Sequence, residues 1–193
     1  VTVDGVSREV PQPFVVMATQ NPKGSAGTQL LPESQLDRFM ICMSMGYPDL
    51  KSEVQIARGV KMTKASELTT ILEPRQLIEM QKTVEDIHMN ESIYTYIVKL
   101  MEATRDNSYI ELGVSPRGTL SCVRMAKAWA FLNGRSYVVP EDVADIFLDV
   151  CKHRIVLNTK ARISHVTPEA VLNEILSGVE RPASYKEKAG YRD

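Results

Sequence analysis

A change in the spacing of apolar residues near position 47 constrains the fold of this chain more than any other feature. Before that point, apolar residues occur in alternating or short continuous runs. After the turn signal Tyr47-Pro48-Asp49 they recur every three or four residues, which is the spacing of one helix face. The sequence therefore predicts an α/β part over residues 1–47, an all-helical part over 48–181 and a polar tail over 182–193.

The α/β part is predicted from three strand-like elements. Val1 and Val3 alternate with polar neighbours before the turn signal Asp4-Gly5, which predicts a β-hairpin. The continuous apolar runs at 14–18 and 39–43 predict strands buried on both faces, with a short turn or helix at 31–39 before the second. Three such elements cannot cover both faces of a sheet, so this part is predicted to be the end of a larger sheet.

Six helices are predicted in the second part from apolar spacing and start signals. Their start signals are Asp49, Pro74, Asn90, Pro116, Pro140 and Pro168. Asn133-Gly134 is expected to end the fourth helix. The fifth is expected to carry Lys152, His153 and Arg154 in its last turn, where positive charge suits the helix dipole.

Composition excludes several classes of protein. A net charge of −1 gives no general attraction to nucleic acid or to an anionic membrane, and no apolar run approaches the length of a membrane span. Three widely spaced cysteines, Cys42, Cys122 and Cys151, lie in apolar contexts. They are predicted to be buried free thiols of a reducing compartment, so the expected location is cytoplasmic.

Asn21 is the first candidate for a functional residue. It directly follows an apolar run, and Pro22 favours an extended backbone at the preceding residue. In open α/β sheets ligands bind beyond the carboxyl ends of strands, and an amide can orient a water by donating to one oxygen and accepting from another. Spacing alone favours the alternative, that Asn21-Pro22 is only a turn.

Two arginines, Arg38 and Arg117, complete the candidate set. Arg38 lies between apolar neighbours just before a predicted strand, and its planar guanidinium matches phosphate oxygens. Its alternative role is a surface salt bridge with Asp37 or Glu33. Arg117 is predicted in the first turn of a helix, where a cation opposes the dipole. Either a bound phosphate or simple solvent exposure accounts for a cation there.

Other familiar signatures fail in this sequence. The glycine-containing segment 22–28 lacks the order of a phosphate-binding loop. The three histidines, His88, His153 and His165, share no metal-ligand spacing with one another or with a cysteine, so no metal site is predicted.

Five segments together resemble the MoxR family of AAA+ ATPases and, more distantly, the magnesium-chelatase ATPase subunit. Segments 18–22 (Ala-Thr-Gln-Asn-Pro) and 31–39 (Leu-Pro-Glu-Ser-Gln-Leu-Asp-Arg-Phe) are similar to the family's first sensor and arginine finger. Segment 112–117 (Leu-Gly-Val-Ser-Pro-Arg) is similar to its second sensor. Segments 134–143 and 153–155 are similar to its lid. The implied fold is the C-terminal portion of an AAA+ P-loop core followed by a helical lid.

The resemblance implies a role for each candidate. Asn21 would position the attacking water near the γ-phosphate, and Arg38 would be the finger offered to the nucleotide of the neighbouring subunit. Arg117 would touch phosphate from the lid, in its own subunit or across the interface. Glu33 is implied at the same interface as Arg38.

The resemblance also implies an activity that this chain cannot perform alone. The parent protein would bind ATP and Mg²⁺ and hydrolyse ATP in an oligomeric ring, expected to be a hexamer, to remodel or activate partner proteins. A protein with a von Willebrand factor A domain is an implied client. The Walker A loop and the Walker B acids would precede Val1, so we expect this chain by itself to be inactive. The alternative is a stand-alone helical protein-interaction module, and a nucleic-acid-binding domain is disfavoured by the charge.

Overall fold

A computed structural model describes residues 1–20, 31–60 and 67–182. The chain divides into two compact units, one made of residues 1–18 and 43–81 and the other of residues 19–42 and 82 onward. Among the helices of the described part, none is long and apolar enough to cross a membrane.

The first unit contains the predicted hairpin. Strands β1 (Thr2–Val3) and β2 (Val6–Ser7) pair antiparallel. Asp4 and Gly5 both have positive φ, 51° and 77°, as a two-residue turn of this hand requires. Helix α2 (Leu50–Ala57) begins at Asp49, whose carboxylate accepts from the Ser52 amide at 2.8 Å. Most of helix α3 (Pro74–Glu85) belongs to this unit.

The two predicted buried strands at 14–18 and 39–43 are wrong. Neither run forms a strand, and within the first run Val15 is 62% exposed and Met17 90% exposed. An apolar run becomes a strand only when a neighbouring backbone supplies its hydrogen bonds. In the described part of the chain, β1 pairs with β2 and residues 110–112 pair with residues 156–157, so neither run has such a neighbour.

The second unit is a helical bundle with one small ladder. Its elements are α1 (Glu33–Leu36), α4 (Glu91–Arg105), β3 (Ile110–Leu112), α5 (Pro116–Leu132), α6 (Pro140–Cys151), β4 (Val156–Leu157), α7 (Thr159–Ile163) and α8 (Pro168–Gly178). Helices α4, α5, α6 and α8 pack around a core that includes the fully buried Tyr96, Leu100, Phe147 and Leu172.

The predicted helix starts in this unit are confirmed by their caps. Asn90, Ser115 and Thr167 each accept a backbone N–H from the first turn of α4, α5 and α8, respectively. Helix α5 ends at Leu132, followed by Asn133 as its C-cap and by Gly134 at a φ of 71°. The sequence did not reveal α7 or the antiparallel β3–β4 ladder, in which Ile110 faces Leu157.

Two further expectations need correction. Helix α6 ends at Cys151, so Lys152, His153 and Arg154 follow the helix instead of forming its last turn. The chain turns there because Arg154 points into the protein and bonds to carbonyls of another segment. Cys122 and Cys151 are buried, but Cys42 is exposed, since its backbone N–H faces α6 and donates to the Asp149 carbonyl at 2.8 Å.

Candidate functional site

Three segments of the second unit meet at the carboxylate of Asp37. This residue lies at the C-terminal end of α1. Its two oxygens accept from the Ser115 hydroxyl at 2.9 and 3.0 Å, and one accepts from Arg154 Nε at 3.2 Å. Arg117 Nη1 lies 3.4 Å from the other oxygen. The carboxylate therefore connects the segment of Arg38, the turn before α5 and the chain after α6.

Arg154 is the buried member of this group. Its side chain is 1% exposed, whereas that of Asp37 is 20% exposed. Besides Asp37, the guanidinium donates to Ser121 Oγ at 3.2 Å and to the carbonyls of Asp37, Phe39, Met40 and Val150. Burial lowers the pKa of Arg154, and the charge of Asp37 opposes that shift. A buried charge is stable only when paired and fully hydrogen-bonded, so Arg154 requires residues 37–40 to lie where they do.

His153 adds a second anchor to the same segment. Its Nε2 lies 3.1 Å from the carbonyl oxygen of Phe39, and because a carbonyl only accepts, Nε2 carries the proton. The Nδ1 atom is buried and has no hydrogen-bond partner in the described part of the chain. Burial, followed by the charge of Arg154, lowers the pKa of His153, which favours the neutral imidazole.

Ser115 and Pro116 begin α5 and set the position of Arg117. The Ser115 hydroxyl donates to Asp37 and also accepts the amide of Gly118 at 3.4 Å as the N-cap of α5. Pro116 occupies the first helical position, which its fixed φ suits. The Arg117 side chain remains 55% exposed, so its ion pair with Asp37 at 3.4 Å is a weak one.

The residues before Ser115 are held by α4. The buried hydroxyl of Thr104 accepts the amide of Val114 at 3.0 Å, and Arg105 Nε donates to the Val114 carbonyl at 2.9 Å. A Cβ at Gly113 would lie 2.8 Å from the backbone of Arg105, so only glycine allows this approach. The turn before Arg117 is therefore held by α4 at Val114 and by Asp37 at Ser115.

The predicted site residues are placed as follows. Asn21 lies outside the described residues. Arg38 is exposed and follows Asp37 directly, but in the ranges the structure describes it makes no salt bridge with Asp37 or Glu33. Asp37 instead bonds to Ser115, Arg117 and Arg154. The structure thus brings the segments of Arg38 and Arg117 together at Asp37. That either arginine contacts phosphate stays a prediction.

Asp37, Arg154 and His153 are the members of this site that sequence reasoning missed. The sequence places Asp37 in the finger-like segment 31–39 and His153 and Arg154 in the lid-like segment 153–155, but it predicts no contact between these two segments. The available signal was weak. Arg154 is followed by the apolar Ile155 and Val156, which is an unusual place for an exposed arginine.

A surface cavity of about 680 Å³ lies next to this anchor. Its charged lining residues are Glu33, Asp37, Lys152, Arg154 and Arg162. Neither Arg38 nor Arg117 lines it. In the described ranges, no group of three or more histidine, cysteine, aspartate or glutamate side chains could hold a metal ion. The described residues thus include guanidinium groups, which suit phosphate oxygens.

Family models match both parts of the chain. Residues 1–41 match the family described as ATPase family associated with various cellular activities (AAA), and residues 102–175 match the AAA lid domain.

Individual relatives match over almost the whole chain. The uncharacterized protein YeaC of Bacillus subtilis is 38% identical over 183 residues, which cover 94% of this chain and 57% of YeaC. Chaperone MoxR1 of Mycobacterium tuberculosis is 34% identical, with 94% of this chain and 50% of MoxR1 covered. The chain thus spans about half the length of these relatives.

A solved structure supports the fold. The crystal structure of a presumptive ATPase from Cytophaga hutchinsonii superposes with a TM-score of 0.84 at 33% identity, covering 95% of this chain and 58% of that protein. A match to a magnesium-chelatase subunit homologue confirms the more distant resemblance. The predicted fold class and the predicted resemblance to AAA+ ATPases of the MoxR family are confirmed by these matches.

Proposed function

We propose that this chain is the C-terminal portion of a ring-forming ATPase that uses ATP hydrolysis to remodel or activate partner proteins. Arg38 serves the nucleotide of the neighbouring subunit, Asn21 orients the attacking water, and Arg117 contacts phosphate from the lid. The similarity to chaperone MoxR1 supports an ATP-driven chaperone role. The proposed ring is a hexamer in the cytoplasm, and the proposed client carries a von Willebrand factor A domain.

One observation carries the proposal. Two exposed guanidinium groups, those of Arg38 and Arg117, extend from backbone segments that are both fixed to Asp37. A guanidinium is the side chain best suited to bind phosphate oxygens in a fixed geometry. A rigid attachment keeps such groups positioned before the reaction, which is how phosphoryl transfer is catalysed.

When both are bound, ATP supplies the γ-phosphoryl group and Mg²⁺ supplies positive charge that neutralises the phosphate oxygens. The arginines of the described residues suit the phosphate groups, and the described residues contain no cluster of three or more potential metal ligands. A phosphate near the first turn of α5 would meet Arg117 in a helix N-terminus, where anions are favoured. It would compete there with Asp37, whose contact to Arg117 is long and exposed.

The first test is the coding sequence upstream of Val1. A G-x-x-x-x-G-K-[ST] motif there is the expected result, and a start codon at this point would favour the stand-alone interaction module.

The second test uses the full-length protein. Arg38→Ala should lower ATP turnover by roughly 10³–10⁵-fold and preserve ATP binding, because a finger supplied in trans acts in the transition state. Arg117→Ala should weaken ATP affinity as well. Arg124→Ala, an exposed arginine two turns further along α5, is the matched control and should change neither quantity.

A mixing experiment separates the two arginines by subunit. Arg38→Ala subunits mixed with subunits that lack the Walker B acids should regain activity, because each supplies what its neighbour lacks. If mixed rings assemble and regain none, the trans role of Arg38 is wrong.

A further inference from the structure

The segment that carries Arg38 has little regular structure of its own. Helix α1 is a single turn of four residues, and residues 37–42 pair with no strand within the described ranges. A helix this short is unstable unless other parts of the protein hold it. The orientation of Arg38 must therefore come from the tertiary contacts of its neighbours.

Arg154 makes those contacts on both sides of Arg38. Its Nη2 donates to the carbonyl of Asp37, before Arg38, and to the carbonyl of Phe39, after it. A third bond runs from its Nη1 to the Met40 carbonyl at 3.1 Å. One planar guanidinium thus fixes the backbone around Arg38 and leaves the Arg38 side chain exposed.

Asp37 completes the arrangement by neutralising Arg154 and joining it to α5. Its carboxylate bonds to Arg154 Nε at 3.2 Å and to the Ser115 hydroxyl at 2.9 Å. Without this carboxylate, the 1% exposed guanidinium would keep its carbonyl acceptors but lose its counter-charge. The position of Arg38 therefore depends on an ion pair in which Arg38 takes no part.

We propose that Arg154 and Asp37 form a positioning pair that sets the direction in which Arg38 reaches toward phosphate. This inference rests on the role proposed above for Arg38. In this proposal neither member of the pair contacts the nucleotide. Both act through Arg38, since the contact of Asp37 with Arg117 is long, exposed and weak. A displacement of about 1 Å in a catalytic group costs up to about 100-fold in rate, which is the size of effect that loss of the pair should produce.

The test is a double-mutant cycle in the full-length protein. Asp37→Asn and Arg154→Lys are each expected to lower kcat by about 10- to 100-fold with the Kd for ATP within about threefold of the unchanged protein. In the Arg38→Ala background the same two changes should lower kcat by less than about twofold further, because the residue that they position is already gone. Ser115→Ala is a milder variant that removes one hydrogen bond to Asp37 and should give a smaller loss with the same non-additivity.

The matched control is a second part-buried Arg–Asp pair of the same helical bundle. Arg135 bonds to both oxygens of Asp142, whose side chain is 2% exposed, and neither residue is among the hydrogen-bond partners of Asp37 or Arg154 in the described part of the chain. Asp142→Asn should lower the melting temperature to an extent comparable with Asp37→Asn and leave kcat unchanged when assayed well below that temperature. Comparison of the two variants thus separates a loss of kcat caused by a misplaced Arg38 from one caused by general loss of stability.

Each outcome decides the inference. Unchanged kcat in both Asp37→Asn and Arg154→Lys, or a loss that multiplies fully with that of Arg38→Ala, overturns the positioning pair while the role of Arg38 stands. Full turnover in Arg38→Ala itself overturns the proposed finger and the pair together. A fall in kcat for Asp142→Asn equal to that for Asp37→Asn shows that destabilisation alone is responsible, and this also overturns the pair.

Discussion

At the scale of single residues, the roles of the arginines follow from burial. Arg38, Arg117 and Arg154 carry the same group, yet only Arg154 is buried among carbonyl oxygens. Removing a guanidinium from water is costly, and this cost is offset only by a charge partner and a complete set of acceptors. Arg154 therefore serves structure, whereas Arg38 and Arg117 remain exposed, as their proposed contacts with phosphate require.

His153 makes a pH-dependent contribution to stability. Because burial lowers its pKa in the folded state below the ordinary value of 6.5, the unfolded state binds more protons as the pH falls. The free energy of unfolding should therefore decrease as the pH drops below about 6.5. His153→Gln, which keeps an N–H for the Phe39 carbonyl, should flatten this decrease in urea unfolding between about pH 5 and 8.

The control for this prediction is the exposed His165. Its φ of 53° favours asparagine among non-glycine residues, so His165→Asn is the suitable change. This variant should retain the wild-type pH profile. A His153→Gln profile as steep as that of the wild type would show that other groups cause the loss of stability.

At the scale of elements, the first turn of α5 is packed so closely that replacing its glycine by alanine should not stabilise the helix as it usually does. Gly118 faces Val114 and Arg154, and a Cβ added there would overlap Val114 Cγ1 and lie 2.8 Å from Arg154 Cδ. The glycine thus gives Arg154 the space to reach residues 37–40. Helix α5, which carries Arg117, therefore packs at Gly118 against the Arg154 side chain, which bonds to the backbone on both sides of Arg38.

Gly118→Ala should consequently destabilise the protein. In an ordinary helix interior this change stabilises by about 1 kcal/mol, but overpacking costs about 1–3 kcal/mol. We expect a net loss in chemical denaturation, together with faster hydrogen exchange at the Cys42 amide, which donates to Asp149. Gly178→Ala at the end of α8, where a Cβ would meet nothing within 4 Å, is the control and should be neutral or stabilising.

At the scale of the whole molecule, the three cysteines report on the integrity of the bundle. Cys122 and Cys151 are fully buried, and burial raises the pKa of Cys122 to about 12 and that of Cys151 well above its ordinary value. Because the thiolate is the reactive form, both should be inert in the folded protein. Cys42 is exposed.

A disulfide-exchange reagent should therefore label one thiol rapidly in the native chain and three in denaturant. Cys42→Ser should abolish the rapid phase, and Cys122→Ser should leave it intact. Rapid labelling of two or three thiols in the native protein would show that the helical bundle opens more readily than its packing indicates.

The candidate site could be predicted only in part from the sequence, for a physical reason visible in its residues. Arg38 and Arg117 lie 79 positions apart along the chain, and the sequence singled out each by its local context. Their connection runs through Asp37 and Arg154, and hydrogen bonds between distant segments leave no periodic trace in the sequence.

Local rules by themselves determined the hairpin and the helix starts. Asp4-Gly5, the N-caps Asn90, Ser115 and Thr167, and the prolines that begin α5, α6 and α8 act on backbone within a few residues. These elements appear where the sequence predicts them, because the groups that stabilise them are neighbours in the chain.

Only the tertiary structure decided which side chains are buried and what each charge binds. The apolar runs at 14–18 and 39–43 read as buried strands, yet the described chain gives them no strand partner. The sequence predicts Arg154 as the cation of a helix end, yet its acceptors at Asp37, Phe39 and Met40 lie more than 100 residues away in sequence. Burial depends on what packs against a segment in space, which is a property of the whole fold and not of the segment.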